Sequence, residues 1–360
     1  MSNLSEISQQ DIYADAAELK RRSLVQQRSI WMAVLPHPIA NRLAKYALEN
    51  INPAIILRNF NEATDERLLK SFSRRLGYLS QCNEAIAIVK NWFNEDGLLE
   101  KLHSVNRNEL AWILVGNIAP ISVKEVLMYI EKLAIHPEFC TRKNKQFIDI
   151  TRLIRSLAYE EQHFEQCAKL LCQFALSENK GENNNSIRDI LKSLFQLYLS
   201  GTHATKEQRL KVIDSLIKTT IQSNVDLAFE LLGSSLKAGH FSASHSFDFG
   251  ANSRDYGYIP KTNQDGNDWY TLFINYTAKL VISGSSHSTL AKGELGKSLR
   301  SLWRQRNLRD LIESTCLKIS CLEMWNDGFS AIHSILRFDC KTSDEGEIER
   351  LKSIAEQLSP

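Results

Sequence analysis

Apolar residues recur along most of this sequence at spacings of three and four, the period of an α-helix with one buried face. The pattern is clear in residues 145–159, 186–199 and 210–217. Because the breaks between such segments are short, we predict an all-α fold, an irregular helical-repeat superhelix resembling an α-solenoid, with one long ordered loop. The sequence shows no fixed repeat length, which excludes a consensus tetratricopeptide or ankyrin array.

Helix-terminating and helix-initiating residues agree with this periodicity. Ser122 and Thr205 are each followed three residues later by Glu or Gln, the spacing of a capping box. Asn52 precedes a proline, which suits the first helical position. Gly201 and Gly239 follow helical segments as stop signals. These signals predict roughly fifteen helices in sequence.

Residues 239–266 lack any helical period and contain four glycines and one proline. Loops of this length are functional or disordered, but disordered segments are poor in aromatic residues. The aromatic residues here are Phe241, Phe247, Phe249, Tyr256 and Tyr258. We therefore expect an ordered loop at 239–266, separating a helical repeat region (51–238) from a C-terminal helical region (267–360), with an N-terminal segment at 1–50.

The length, composition, net charge and cysteine content exclude several classes of protein. The chain has 360 residues, of which 43% are hydrophobic, and a net charge of +2, so it can bury a core and carries no overall charge suited to nucleic acid or an anionic membrane. The N-terminus has no signal-peptide pattern, and no apolar run is long enough to span a bilayer. The seven cysteines include no CxxC pair, which indicates buried thiols in a reducing, cytoplasmic environment.

The sequence AKGELGKS at residues 291–298 matches a relaxed phosphate-binding loop. Such a loop must follow a strand and open a helix at its lysine. The strand-like run at residues 280–283 ends too early, and the apolar spacing predicts instead a helix that runs through the motif to Trp303. We expect no nucleotide binding here, no cofactor and no catalytic residue.

Two further groups of residues have a functional and a structural interpretation. His240, His245 and Asp248 could form a metal site, but they lack zinc-ligand spacing, and we expect no metal. A basic stretch with one aromatic residue could bind nucleic acid, although a solvated helix face explains it better. Its members are Lys292, Lys297, Arg300, Trp303, Arg304, Arg306 and Arg309.

Three stretches resemble the region that follows the ATPase in large bacterial STAND-type, NACHT-like NTPases of antiphage defence. They are WMAVLPHPIANRLAKYALENI with RLLKSFSRRLGYL, LVGNIAPISVKEVLMYIEKL, and FDFGANSRDYGYIPKTNQDGNDWY leading into LGKSLRSLWRQRNLRDLIE. In these proteins a P-loop ATPase precedes a winged-helix domain and then a helical-repeat sensor. The resemblance implies that residues 1–50 are a remnant of a winged-helix unit, that His37 occupies a nucleotide-sensing position in a full-length relative, and that the chain is a detached sensor half.

The resemblance therefore leads us to expect a non-catalytic sensor or interaction module that recognises a protein ligand or a partner ATPase, rather than a membrane, nucleic acid or small molecule. The alternatives are a general helical scaffold for protein assembly and a nucleic-acid-binding helical protein. The interaction candidates lie in the third stretch: Phe249, Arg254, Asp255, Tyr256, Lys261 and Trp269.

Overall fold

The computed structural model describes residues 7–61, 65–179, 185–242, 248–284, 286–322, 324–340 and 345–359. Within them the chain forms eighteen α-helices and two short hairpins, so the all-α prediction is confirmed. The helices are α1 (Gln9–Arg21), α2 (His37–Asn50), α3 (Pro53–Asn61), α4 (Glu66–Gly77), α5 (Asn83–Trp92), α6 (Leu98–Ser104), α7 (Asn108–Ile118), α8 (Val123–Ala134), α9 (Phe147–Leu157), α10 (Glu161–Leu176), α11 (Ile187–Ser193), α12 (Lys206–Ile217), α13 (Gln222–Leu236), α14 (Asn263–Ile282), α15 (Ser288–Trp303), α16 (Arg309–Ser320), α17 (Asn326–Phe338) and α18 (Glu345–Leu358). The strands are β1 (Val25–Arg28), β2 (Trp31–Val34), β3 (Asp248–Phe249) and β4 (Asn252–Ser253), paired as two antiparallel hairpins.

The described residues divide into two compact units. The first comprises the described parts of 1–139, 145–153 and 248–253, and the second those of 140–144, 154–247 and 254–360. The chain therefore returns to the first unit for the β3–β4 hairpin before it continues in the second.

In the first unit, α4 and α7 approach closely where α4 ends at Gly77. A β-carbon at Gly77 would lie 2.0 Å from the carbonyl oxygen of Asn117, so no larger residue fits without a shift. The Asn117 side chain donates to the Ser73 hydroxyl at 2.8 Å, which satisfies a buried polar group at the same contact. Gly250, with φ +64°, places the β3–β4 turn against the carbonyl oxygen of Gly77.

In the second unit, every helix from α10 to α16 packs against the helix two positions later in the chain. The even-numbered and odd-numbered helices therefore form two rows, the arrangement of helical-repeat proteins. Fully buried aromatic residues fill the space between the rows: Phe164, Phe174, Phe195, Trp269, Phe273 and Trp303.

Several predicted helix boundaries are correct. Helix α9 lies within the predicted 145–159 segment, and α12 begins with the capping box of Thr205 and Gln208. The Asn52 side chain accepts from the amide of Ala54 at 2.9 Å, as expected for a residue at the start of α3.

Other local predictions are wrong. The helix predicted for 186–199 ends at Ser193, and Leu199 has a positive φ of 58°, which an α-helix cannot continue through. The strand-like run at 280–283 belongs to the end of α14, whose Val281 is buried. The Ser122 hydroxyl donates to the Glu125 carboxylate instead of capping a backbone amide.

The predicted loop at 239–266 is shorter than expected, since α14 begins at Asn263. Ordered segments of it pack their aromatic rings as predicted: Phe241 contacts Tyr198 edge to face, and Tyr258 stacks on Trp269. His245 and Phe247 lie outside the described residues.

Candidate interaction surfaces

The segment that follows β4 is joined to the second unit by backbone hydrogen bonds. The Gly201 amide donates to the Tyr256 carbonyl, and the Tyr258 amide donates to the Thr202 carbonyl, each at 2.8 Å. Gly257 lies between them with φ +83°, and a β-carbon there would lie 2.3 Å from the Thr202 nitrogen. Only glycine suits this position, because L side chains rarely adopt such a φ and no space remains for one.

Side chains reinforce this attachment. The Asp255 carboxylate lies 3.0 Å from His203 Nε2 and accepts from the Tyr159 hydroxyl at 3.1 Å. Partial burial opposes ionisation of this carboxyl, but hydrogen bonds from the Gly257 amide, Tyr159 and His203 outweigh it and lower the pKa of Asp255. Because these groups hydrogen-bond one another, they hold the segment after β4 in place.

Arg254 is part of the same attachment. Its Nη1 donates to the Ser156 carbonyl at 2.7 Å and to the Ser156 hydroxyl at 2.8 Å, and its guanidinium lies 4.6 Å from the Tyr159 ring centroid. Burial lowers the pKa of Arg254 to about 10. The Arg254 guanidinium is thus engaged by Ser156 and Tyr159 within the second unit.

The remaining interaction candidates differ in exposure. Trp269 has no exposed surface, donates from Nε1 to the Ser235 carbonyl and lies under the Arg209 guanidinium, so its prediction as an interaction residue is wrong. Phe249 is half-buried in the first unit. Tyr256 is 44% exposed and Lys261 is exposed, so these two can contact a partner.

Three arginines of the basic stretch pair with acidic residues later in the chain. Arg300 makes two hydrogen bonds to Asp339, at 2.6 and 3.0 Å, and Arg304 donates to the same carboxylate. Arg309 pairs with Glu347 at 2.7 Å. The face is partly exposed, as predicted, but these carboxylates occupy the guanidinium groups that phosphates would need, which weakens the nucleic-acid interpretation.

The AKGELGKS sequence lies inside α15, as predicted. Because α15 begins at Ser288, the amides of Gly293 through Lys297 bond to carbonyls within the helix and do not converge on a ligand. The Lys297 ammonium pairs with Glu294 at 2.6 Å. Gly296 serves packing, since a β-carbon there would lie 2.6 Å from the Asp327 β-carbon at the start of α17.

Helix α2 exposes an apolar stripe in the first unit. Ile39, Leu43 and Tyr46 follow the i, i+4, i+7 spacing of one helix face and are 44%, 51% and 66% exposed. We call these three residues the α2 stripe. Arg42 and Lys45 are exposed beside it, and Lys45 lies 3.7 Å from Glu49. The opposite side of α2 buries Ala40 and Leu48, so the helix is fixed while the stripe faces solvent.

His37 is the first residue of α2 and is exposed. The preceding segment is more structured than the sequence indicates: α1 is helical, although none of its residues is buried, and β1 and β2 form a hairpin. Trp31 in this hairpin lies 4.7 Å from the Arg67 guanidinium, which joins the hairpin to α4.

Each unit also contains a cleft. The cleft of the first unit has a volume of about 630 Å³ and is lined by Phe93, Met128, Tyr129 and Leu133, with charges of both signs at its rim. Burial raises the pKa of Tyr129, whose hydroxyl hydrogen-bonds His103, so the phenol stays protonated. The cleft of the second unit, about 470 Å³, is polar and contains Lys261; we call it the Lys261 cleft.

The described part of the chain contains no group of three or more His, Cys, Asp or Glu residues placed to hold a metal ion. It contains no helix with the length and apolarity needed to cross a bilayer. Five of the seven cysteines are buried, and burial raises the pKa of Cys172 and Cys316 to about 12, which disfavours the reactive thiolate.

Comparison with protein-family models and with curated protein sequences finds no match to this chain. The sequence reasoning missed one of the features above, the Lys261 cleft. The Lys261 cleft brings residues 198 and 305–307 beside the start of α14, and no local pattern connects these segments.

Proposed function

We propose that this chain is a non-catalytic protein-interaction module of a bacterial STAND-type defence or signalling NTPase, acting in the cytoplasm and recognising a protein ligand. The observation that carries the proposal is the α2 stripe, three large apolar side chains exposed on one face of an otherwise anchored helix. A contiguous exposed apolar face usually marks a partner's binding site.

The location of the stripe indicates which partner covers it. In the proteins that this sequence resembles, the ATPase module precedes the sensor, and α2 belongs to the first of the three stretches that carry the resemblance. The exposed Arg42 beside it favours a partner surface with an apolar centre and an acidic group at its rim. We therefore propose that the ATPase module packs on the α2 stripe.

The surroundings of AKGELGKS support a non-catalytic role for the chain itself. The motif lies in the interior of α15, and its lysine is ion-paired within the helix. Nucleotide hydrolysis then belongs to the ATPase module, and the two-row helical array supplies the extended surface on which repeat proteins bind other proteins.

Co-expression with the P-loop ATPase module that the proposal places before these residues, expressed as a separate chain, tests the proposal. We expect a stable complex by light scattering, and Leu43→Glu should weaken it by about tenfold or more, because a central apolar contact often contributes about 2 kcal/mol. Ile135→Glu is the matched control, since Ile135 is 79% exposed in the same unit but lies outside the stripe.

Two results would contradict the proposal. One is the absence of an ATPase module upstream, which would favour a general scaffold. The other is a complex that Leu43→Glu and Ile135→Glu affect equally, with circular dichroism showing that both variants fold.

A further inference from the structure

The Lys261 cleft lies between the first turn of α14 and the turn that precedes α16. Its volume of about 470 Å³ falls within the range of about 300–1,000 Å³ that is typical of ligand sites. The ring of Tyr270 forms one wall and is fixed in place, because its hydroxyl donates to the Lys237 carbonyl at 3.1 Å. Tyr198 and Pro260 contribute further apolar surface.

The cleft is positively charged. Lys261 and Arg306 line it, and none of the described lining residues is acidic. Neither cation forms an ion pair with any residue that the structure describes, whereas neighbouring Arg304 and Arg309 are paired with Asp339 and Glu347. Arg306 is thus the arginine of the basic stretch that remains available to an external anion.

The Asp265 carboxylate, in the first turn of α14, forms no ion pair with either cation. Asp265 accepts from the amides of Lys261 and Thr262 at 3.0 and 2.9 Å, as part of the capping box of α14. The amide end of α14 is therefore already capped, and the available donors in the cleft are side chains.

Carboxamide groups complete the lining: Asn263, Asn267, Gln305 and Asn307. A carboxamide both donates and accepts, which matches the alternating N–H and C=O groups of an extended peptide backbone. A small carboxylate has only acceptors and would leave the carboxamide oxygens to water, whereas a peptide backbone satisfies both parts of each carboxamide.

We propose that the Lys261 cleft binds an extended acidic peptide segment of the protein ligand. Aspartate or glutamate side chains pair with Lys261 and Arg306, the carboxamides bond to the peptide backbone, and Tyr198, which is 37% exposed, packs against the peptide. This inference rests on the proposed function only in that the ligand is a protein; it assigns the ligand's chemistry and a surface separate from the α2 stripe.

Fluorescence anisotropy with the full chain tests the inference. The probe is a fluorescein-labelled octapeptide of alternating glutamate and alanine, with a glutamine–alanine octapeptide as its neutral match. We expect the acidic peptide to bind, the neutral peptide to bind at least about tenfold more weakly, and added salt to weaken the acidic complex.

The double variant Lys261→Gln/Arg306→Gln should reduce acidic-peptide affinity by about tenfold or more. Lys318→Gln/Lys352→Gln removes the same charge at exposed positions outside the cleft and should have little effect. Equal losses in the two double variants would overturn the inference, as would inorganic phosphate binding without peptide binding. Leu43→Glu should bind the peptide normally, so failure here is distinguishable from failure of the ATPase contact.

Discussion

At the scale of single residues, the glycines of AKGELGKS have different roles. Gly296 allows the close approach of α15 to Asp327, where an added β-carbon would lie 2.6 Å from the Asp327 β-carbon. A β-carbon added at Gly293 would meet only the Asp327 carboxylate oxygen, at 3.9 Å, which is an ordinary van der Waals distance. A glycine pattern that resembles a phosphate-binding loop is thus explained at Gly296 by helix packing.

This difference predicts opposite effects of two alanine substitutions. Gly296→Ala should lower the free energy of unfolding by about 1 kcal/mol or more, because overpacking outweighs the gain in helix propensity. Gly293→Ala should raise it by about 0.5–1 kcal/mol, because the helix gains propensity without a clash. Urea denaturation measures both. Equal effects of the two substitutions would show that α15 and α17 are not in close contact at Gly296.

Residue-level prediction from sequence succeeded where the determinants were local. The capping box of Thr205 and Gln208 needs only its own turn, and the structure contains it. Ser122 has the same spacing, but its hydroxyl bonds to Glu125 instead. Trp269 was predicted as an interaction residue because it lies in one of the resembling stretches. In the structure it is covered by Arg209, which is distant in the sequence, and by Tyr258, which lies in the loop before α14.

At the scale of elements, α15 determines whether AKGELGKS can act as a phosphate-binding loop. Its interior amides are committed to the helix, so we expect no binding of Mg-ATP in calorimetry. Lys297→Ala should leave the titration unchanged, since Lys297 pairs with Glu294 at the surface. Stoichiometric Mg-ATP binding that disappears in Lys297→Ala would contradict the non-catalytic assignment.

Helices with one buried face were predictable from periodicity, and α9 and α12 are examples. Periodicity failed where tertiary structure overrides local preference: residues 194–197 leave the helix although their composition favours one. It also could not foresee the ion pairs of Arg300 and Arg304, because Asp339 lies more than thirty residues away in the sequence.

At the scale of the whole molecule, the two rows of helices in the second unit could be predicted only as a class. Helices two positions apart in the chain pack against each other. Because the helices of this unit range from 7 to 20 residues in length, the sequence has no fixed repeat period that would reveal this packing. The return of residues 248–253 to the first unit is a non-local contact that composition does not encode. The candidate surfaces depend on such contacts, and for this reason Lys261 was predicted as a candidate but its cleft was not.

Hydrogen exchange of α2, measured by mass spectrometry in the chain alone and in its complex with the ATPase module, tests the central claim most directly. Binding over the α2 stripe should slow exchange of the α2 amides, because a covered helix opens less often. Helix α8, next to the exposed Ile135, should exchange at the same rate in both samples. Protection of α2 with α8 unchanged is the predicted result. A complex in which α2 exchanges as fast as it does in the free chain would contradict the assignment of the stripe as the partner's binding surface.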